Sequence, residues 1–322
     1  MKLSIIIAMF NTELYIEKCI RSVFMDSLIP KNDYEVIVIN DGSTDSSRNI
    51  VEGLMSEFQN LTLINKENGG QSSARNIGFN LAKGKYIFCL DSDDFVDAGP
   101  LADALNYCIK NDLDMLPIFN RTFDESYIEI KGKEDIYPVL EKPISGAKFM
   151  KKFVVSGSMW RYFYKVSIFR DNNLLLTEGI YHEDEEFIVK FLSYVKKIAY
   201  RRHLVYNHLV RHNSTVNKKN KEHRVKLLND LITVLNHLNI HRDKFSKISE
   251  EYAGITKKVE QLNISIFLRM KKDELNYEEI KPFVDKLKDL NLYPINVPNL
   301  DFKFKMAARM FNTKLFNKIY FS

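Results

Sequence analysis

Four apolar, strand-like runs separated by helix-periodic stretches fill the first hundred residues, and this alternation most constrains what the chain can fold into. Leu3 to Met9 is continuously apolar, as a strand covered on both faces must be. Asn11 or Thr12 is placed to cap a helix carrying Ile16, Ile20, Val23 and Phe24 on one face. Pro30 and Asn32-Asp33 break it, and Tyr34 to Ile39 is the next run. Gly42-Ser43-Thr44-Asp45 opens a helix with Ile50, Val51, Leu54, Met55 and Phe58, with Ser43 or Thr44 as its cap. Leu61 to Ile64 comes next, then the turn Asn68-Gly69-Gly70, a helix with Ala74, Ile77 and Leu81, a stop at Gly84, and the run Tyr86 to Leu90. Strands alternating with helices predict a mostly parallel, doubly wound α/β sheet.

Beyond Leu101 the pattern loosens. Residues 101–111, 145–155 and 184–195 read as helices, and Met115 to Phe119 and Tyr127 to Ile130 as strand pieces. Residues 221–292 are rich in Lys, Glu, Leu and Ile at helical spacing, so a boundary is expected near 216. That gives an α/β domain over 1–215, with halves 1–97 and 98–215, and a helical region over 216–322. A chain of 322 residues with 45% hydrophobic and 12% aromatic content is not a disordered one. Its 47 Lys and Arg against 42 Asp and Glu are too balanced to call for nucleic acid. Three cysteines, Cys19, Cys89 and Cys108, in no metal-ligand pattern read as buried thiols of a reducing compartment, and a cytoplasmic protein is expected. The first run is too short, and too soon succeeded by Asn11-Thr12-Glu13, for a signal peptide.

In an open parallel sheet ligands bind beyond the carboxyl ends of the strands. A polar segment succeeds each of the four runs here: Asn11-Thr12-Glu13, then Asn40 to Asp45, then Glu67 to Gly70 leading to Arg75, then Asp91-Ser92-Asp93-Asp94. Three carboxylates in four residues repel one another and call for a cation. Mg²⁺ takes one or two carboxylates plus phosphate oxygens, and Mn²⁺ accepts the same oxygen set. A carboxylate at Asp41 could accept from a base N–H or a ribose hydroxyl. No GxGxxG comes after the first run and no GxxxxGK[ST] occurs, so a nicotinamide crevice and a P-loop are disfavoured. His182, His203, His208 and His212 are irregularly spaced and joined by no cysteine, which disfavours zinc.

In order along the chain, Ser4 to Asn11, Val38 to Asp45, Glu67 to Gly78 and Leu90 to Asp94 resemble the motifs of the family-2 glycosyltransferases of the GT-A fold. Trp160 to Lys165 and Glu178 to Asp184 are similar to the family's Trp-containing acceptor segment and its Glu-Asp motif. The resemblance implies an inverting transferase that moves a sugar from a nucleotide-diphospho-sugar, most often a UDP-sugar, to a hydroxyl of a glycan or lipid-linked acceptor. It implies that Asp41 contacts the base, Arg75 the base or phosphate and Asp91 the ribose. Ala8, Phe10, Glu13 and Ser92 would line the donor pocket, and Asp93 would hold Mn²⁺ or Mg²⁺. Asp184 matches the catalytic base, with Trp160 and Glu183 on the acceptor side and Arg211 at phosphate or acceptor. Asn40 departs from the family, which often carries Asp there. Glu185 and Glu186 read as surface acids, and Trp160 as either a sugar platform or core packing. A nucleotide-sugar-binding module without turnover and a sugar nucleotidyltransferase are the alternatives. The second expects a Gly-rich basic loop after the first strand, which Phe10 to Glu13 is not.

The last 22 residues hold five basic residues and one acid. Met306, Met310, Phe311, Leu315 and Ile319 recur as one helical face, so the tail is expected either to lie on an anionic membrane or to pack on protein.

Overall fold

A computed structural model describes residues 1–25, 27–130, 137–211, 221–273 and 275–313. The chain divides into two compact units: 1–145 with 158–179 and 194–215, and 146–157 with 180–193 and 216–322. The crossing at 215/216 falls where the composition changes. The short segments 146–157 and 180–193 belong with the C-terminal helices, whereas the sequence alone places them in the first domain.

The first unit contains β1 (Leu3–Met9), α1 (Ile16–Phe24), β2 (Tyr34–Asp41), α2 (Ser47–Leu54), β3 (Leu61–Lys66), α3 (Gln71–Leu81) and β4 (Tyr86–Cys89). It continues with β5 (Phe95–Val96), α4 (Ala98–Lys110), β6 (Met115–Pro117), β7 (Phe119–Phe123), β8 (Glu129–Ile130) and β9 (Leu140–Ile144). The second unit takes up α5 (Gly146–Lys152). The chain returns to the first with β10 (Tyr162–Lys165) and α6 (Val166–Asp171), gives α7 (Glu183–Tyr194) to the second, and closes the first with β11 (Ile198–Tyr200) and β12 (Leu204–Leu209).

One sheet has the order β3-β2-β1-β4-β10-β6-β11-β9. β3, β2, β1 and β4 are mutually parallel; β10 runs antiparallel between β4 and β6. The buried faces of β1 and β2 explain their unbroken apolar sequence: Ile5, Ile7, Val36, Val38 and Ile39 are shut off from solvent. Each such side chain contributes about 1.5–3 kcal/mol on leaving water. Gly78 lets α3 lie close on this sheet, because a Cβ there would sit 2.3 Å from Ile6 Cγ2. The expected strand Met115 to Phe119 is two strands. β6 ends at Pro117, the Ile118 N–H turns to the Arg161 carbonyl, and β7 joins a second sheet of order β5-β12-β7-β8. Tyr127 has φ 58°, which leaves only Glu129–Ile130 of the other strand piece extended.

The second unit is built on α9 (Glu250–Lys272), against which α5, α8 (Lys221–Arg242) and α11 (Phe302–Phe311) pack, with α10 (Tyr277–Asp289) on α8. Ile264, Ile266, Phe267 and Met270 of α9 are buried. Of the tail face read from the sequence, Phe311 turns inward against Phe267, with ring centres 5.4 Å apart, while Met306 and Met310 stay exposed. Leu315 and Ile319 lie outside the described residues. Among the described residues no helix is long and apolar enough to cross a membrane.

Candidate donor site

The loops after β1 and β2 are fastened to each other. Asn11, at φ 50°, accepts the Thr44 N–H at its side-chain oxygen (2.8 Å) and donates its own N–H to Ser43 Oγ (3.1 Å). The Glu13 carboxylate accepts from the Ser46 N–H (2.8 Å), and the Asp45 carboxylate from the Glu13 N–H (3.0 Å). Thr12 closes the first turn of α1 through its carbonyl, not its side chain. Glu13 therefore acts on the entry to α2, where a carboxylate suits the exposed N–H groups. Ser46, not Ser43 or Thr44, stands at the start of α2.

β2 carries Asn40 and Asp41 to the edge of the sheet, two residues beyond the apolar run. Asn40 has a local task that the sequence does not disclose. Its amide donates to Asn65 (2.8 Å) on β3 and its oxygen accepts the Ser43 N–H (3.0 Å), fixing the turn. Asp41 is buried and holds the loop after β3. Its carboxylate accepts from Lys66 Nζ (2.6 Å), the Gly69 N–H (2.9 Å) and the Gly70 N–H (2.8 Å). Before any base N–H, that carboxylate serves the glycine turn leading into α3.

Arg75 comes up from α3, buried, and donates to Asp91 Oδ1 at 2.6 Å. The two residues expected at base, phosphate and ribose thus meet each other. In the loop after β4, the Asp94 N–H bonds the Asp91 carbonyl, and Ser92 is buried. Asp94, given no role from sequence alone, is the most enclosed of the three acids. It accepts from Tyr206 Oη (2.6 Å) and the Leu209 N–H (2.7 Å), and lies 3.2 Å from His208 Nδ1, all on β12. Burial raises its carboxyl pKa, opposed by the bond to His208. His208 is raised in turn, chiefly by that bond.

Asp93 points elsewhere and meets Arg211 at 2.5 Å. Its pKa is pushed up to about 6 by burial first, then by Asp94 and Asp91, with Arg211 opposing. Arg211 also lies 5.4 Å from the Tyr15 ring centre. Among the described residues no three His, Cys, Asp or Glu side chains form a complete metal cage. A single crowded carboxylate that already attracts a cation nevertheless fits Mg²⁺ or Mn²⁺, which takes its other ligands from phosphate and water.

Trp160 is buried in the core of this unit. Its ring stacks on Tyr206 at 4.2 Å and 14°. Phe10 is exposed beyond β1, and Ala8 is half-buried. Asp41 thus stands at the end of β2, Arg75 of α3 meets Asp91, and Asp91, Ser92 and Asp93 share the loop after β4, where Asp93 meets Arg211; Glu13 fastens the loops after β1 and β2, and Trp160 stacks on Tyr206.

Glu183 and Asp184 open α7 in the second unit, and Asp184 Oδ1 accepts the Glu185 N–H at 2.8 Å. Their neighbours are not the surface acids expected. Glu185 pairs with Lys258 of α9 at 2.6 Å; Glu186 is 2% exposed, 3.0 Å from His237 of α8 and paired with Lys190. Before α7, the Tyr181 N–H donates to Asp230 (2.9 Å), and Arg269 lies 3.0 Å from His182 Nε2. Only the spacing of charges along α8 and α9 could have hinted at these partners.

Known proteins share this architecture. The Pyrobaculum calidifontis mannosyltransferase PcManGT, solved with GDP-Man and Mn²⁺, matches at TM-score 0.59 and 15% identity over 97% of this chain and 86% of that one. S. aureus TarS 1-349 in complex with UDP-GlcNAc matches at TM-score 0.69 and 18% identity, covering 95% of this chain and 84% of that one. The fold is thus GT-A-like. The glycosyltransferase EpsJ of Bacillus subtilis strain 168 is 33% identical over 57% of this chain. The chain spans about half the length of that curated relative (54%), and less than a third of two others that it matches. The model of glycosyl transferase family 2 matches residues 4–169, just over half of the sequence, and the chain belongs to that family.

Proposed function

We propose that the protein transfers a sugar from a nucleotide-diphospho-sugar, most simply a UDP-sugar, to a hydroxyl of a glycan or lipid-linked acceptor, with inversion. The observation that carries the reading is the gathering of Asp41, Arg75, Asp91 and Asp93 at one edge of the parallel sheet, where such folds bind nucleotides. TarS and PcManGT support the donor class, since they were solved with a UDP- and a GDP-sugar. The three buried, free thiols suit the cytoplasm.

In the mechanism we infer, Asp184 accepts the acceptor proton as its oxygen attacks the anomeric carbon. A new C–O bond forms on one face while the bond to the diphosphate breaks on the other, and the nucleoside diphosphate leaves with the electron pair. Arg75 and Arg211 exchange their carboxylate partners for phosphate oxygens, where fixed guanidinium donors match the developing charge. Asp93 would hold Mn²⁺ or Mg²⁺, which would supply Lewis-acid stabilisation of the leaving group. Glu183 is the residue we assign to acceptor binding.

The test is donor turnover with Mn²⁺ or Mg²⁺ across a nucleotide-sugar panel. Asp184→Asn is expected to lose roughly 10²–10⁴-fold in turnover while keeping donor affinity, as removal of a general base does. Asp93→Asn is expected to weaken metal-dependent donor binding in calorimetry. A second reading, a binding module without turnover, draws on the internal pairing of Asp91 with Arg75 and Asp93 with Arg211. Donor binding with no turnover over a broad acceptor panel would select it. A nucleotidyltransferase is not favoured, because the loop after β1 is committed to residues 43–46.

A further inference from the structure

α11 presents an apolar stripe outward. Phe302, Met306 and Met310 are 71%, 49% and 44% exposed, and recur at i, i+4 and i+8, within about 80° of the helix circumference. Ala308 and Phe311, on the other side, are buried. The orientation is fixed at the helix end as well as by packing. Asn312 accepts the Ile295 N–H (2.7 Å) and donates to the Ile295 carbonyl (2.8 Å), while Phe311 seats against Phe267. Large apolar side chains in a row, held away from the core by a locked inner face, are what an interfacial helix needs and what a solvated surface helix avoids.

Charge decides the partner. Lys303 flanks the stripe on one edge and Lys305 and Arg309 on the other. All three are exposed, and no acidic residue lies between 302 and 311. A plane of phosphate headgroups meets cations on both edges at once while the stripe enters the acyl boundary. We infer that α11 docks the protein on an anionic lipid bilayer through Phe302, Met306 and Met310, with Lys303, Lys305 and Arg309 on the headgroups.

The experiment is co-sedimentation of the full chain with phosphatidylcholine vesicles with and without phosphatidylglycerol, at low and high salt. Binding is expected only with the anionic lipid and is expected to fall as salt screens the cations. Two variants separate the parts: Phe302→Ser/Met306→Ser/Met310→Ser and Lys303→Gln/Lys305→Gln/Arg309→Gln. Each is expected to reduce the bound fraction at least about tenfold with an unchanged melting temperature, since the altered side chains face solvent. Absence of binding to anionic vesicles overturns the inference, and so does binding that survives both variants. If the parent ignores vesicles but self-associates, and the serine variant does not, the stripe belongs to a second copy and the lipid reading is wrong. It is equally wrong if the parent ignores vesicles and the serine variant melts lower, since the stripe is then covered by the chain itself.

Discussion

At the scale of single residues the loops beyond the parallel strands are held by buried acids whose partners lie far along the chain. Asp94 takes two bonds from β12 and a third contact from His208, more than a hundred residues away. Asp94→Ala strands the Tyr206 hydroxyl and the Leu209 N–H in a buried place. It is expected to cost about 2–4 kcal/mol in urea unfolding, because each orphaned donor bears its own desolvation penalty. Tyr206→Phe removes one bond to Asp94 and the acceptor of the Asp91 N–H (3.2 Å), and should cost less, about 1–2 kcal/mol. Equal losses in the two variants would mean that the hydroxyl alone ties β12 to this loop. The same long separations set what could be read in advance. That the acids come after buried strands is visible from local pattern. That Asn40 bonds Asn65, that Asp41 serves Gly69 and Gly70, and that Trp160 lies under Tyr206 depends on register between strands, which no window of neighbouring residues contains.

At the scale of elements, α7 shows why a run of acids is ambiguous. Glu183-Asp184-Glu185-Glu186 reads first as a dipole-favoured helix start, and only the family resemblance singles out Asp184 as a catalytic group. The structure splits them: Glu185 and Glu186 face α9 and α8 and meet Lys258 and His237. Lys258 is buried and also donates to the Val155 carbonyl at 2.8 Å, so it joins α9 to the segment before β10 as well as to α7. Lys258→Met leaves a carboxylate in this partly enclosed position without its cation, at an expected cost of about 2–3 kcal/mol. The double variant Lys258→Met/Glu185→Leu should recover most of it, since the penalty lies in the unpaired charge. Gly157 belongs to the same contact: a Cβ there would fall 2.2 Å from the Glu185 carboxyl carbon. Gly157→Ala must therefore push Glu185 aside. Chemical shifts of the first turn of α7 are expected to move, and thermal melting to fall by a few degrees, as for a loss of about 1 kcal/mol. A silent Gly157→Ala would show that the first turn of α7 is not held through Glu185.

At the scale of the whole molecule, the alternation of strand and helix marks the first unit, and the change of composition near 216 marks one of its borders. The interleaving of 146–157 and 180–193 with the C-terminal helices leaves no such trace, because those stretches are ordinary amphipathic sequence. The second unit is expected to lose stability in acid. His182 and His241 both lie in the second, and burial pushes the pKa of each down to about 4. Arg269 adds to the effect at His182 against Glu185 and Asp230; Lys190 and Lys244 add to it at His241 against Glu186. With the folded value below the unfolded one, near 6.5, the unfolded chain binds more protons between them. Their contribution is therefore fully present above pH 6.5 and is lost progressively as pH falls toward 4. For His241, 3% exposed and 2.8 Å from Ser193 Oγ, the loss is about 1–2 kcal/mol after allowance for screening. His241→Gln keeps a polar partner for Ser193 but cannot take up the proton. Urea unfolding at pH 7 and pH 4.5, together with exchange protection of α8 amides, should show a shallower loss in the variant than in the parent. If parent and variant lose stability in parallel, protonation of His241 is not what loosens this unit.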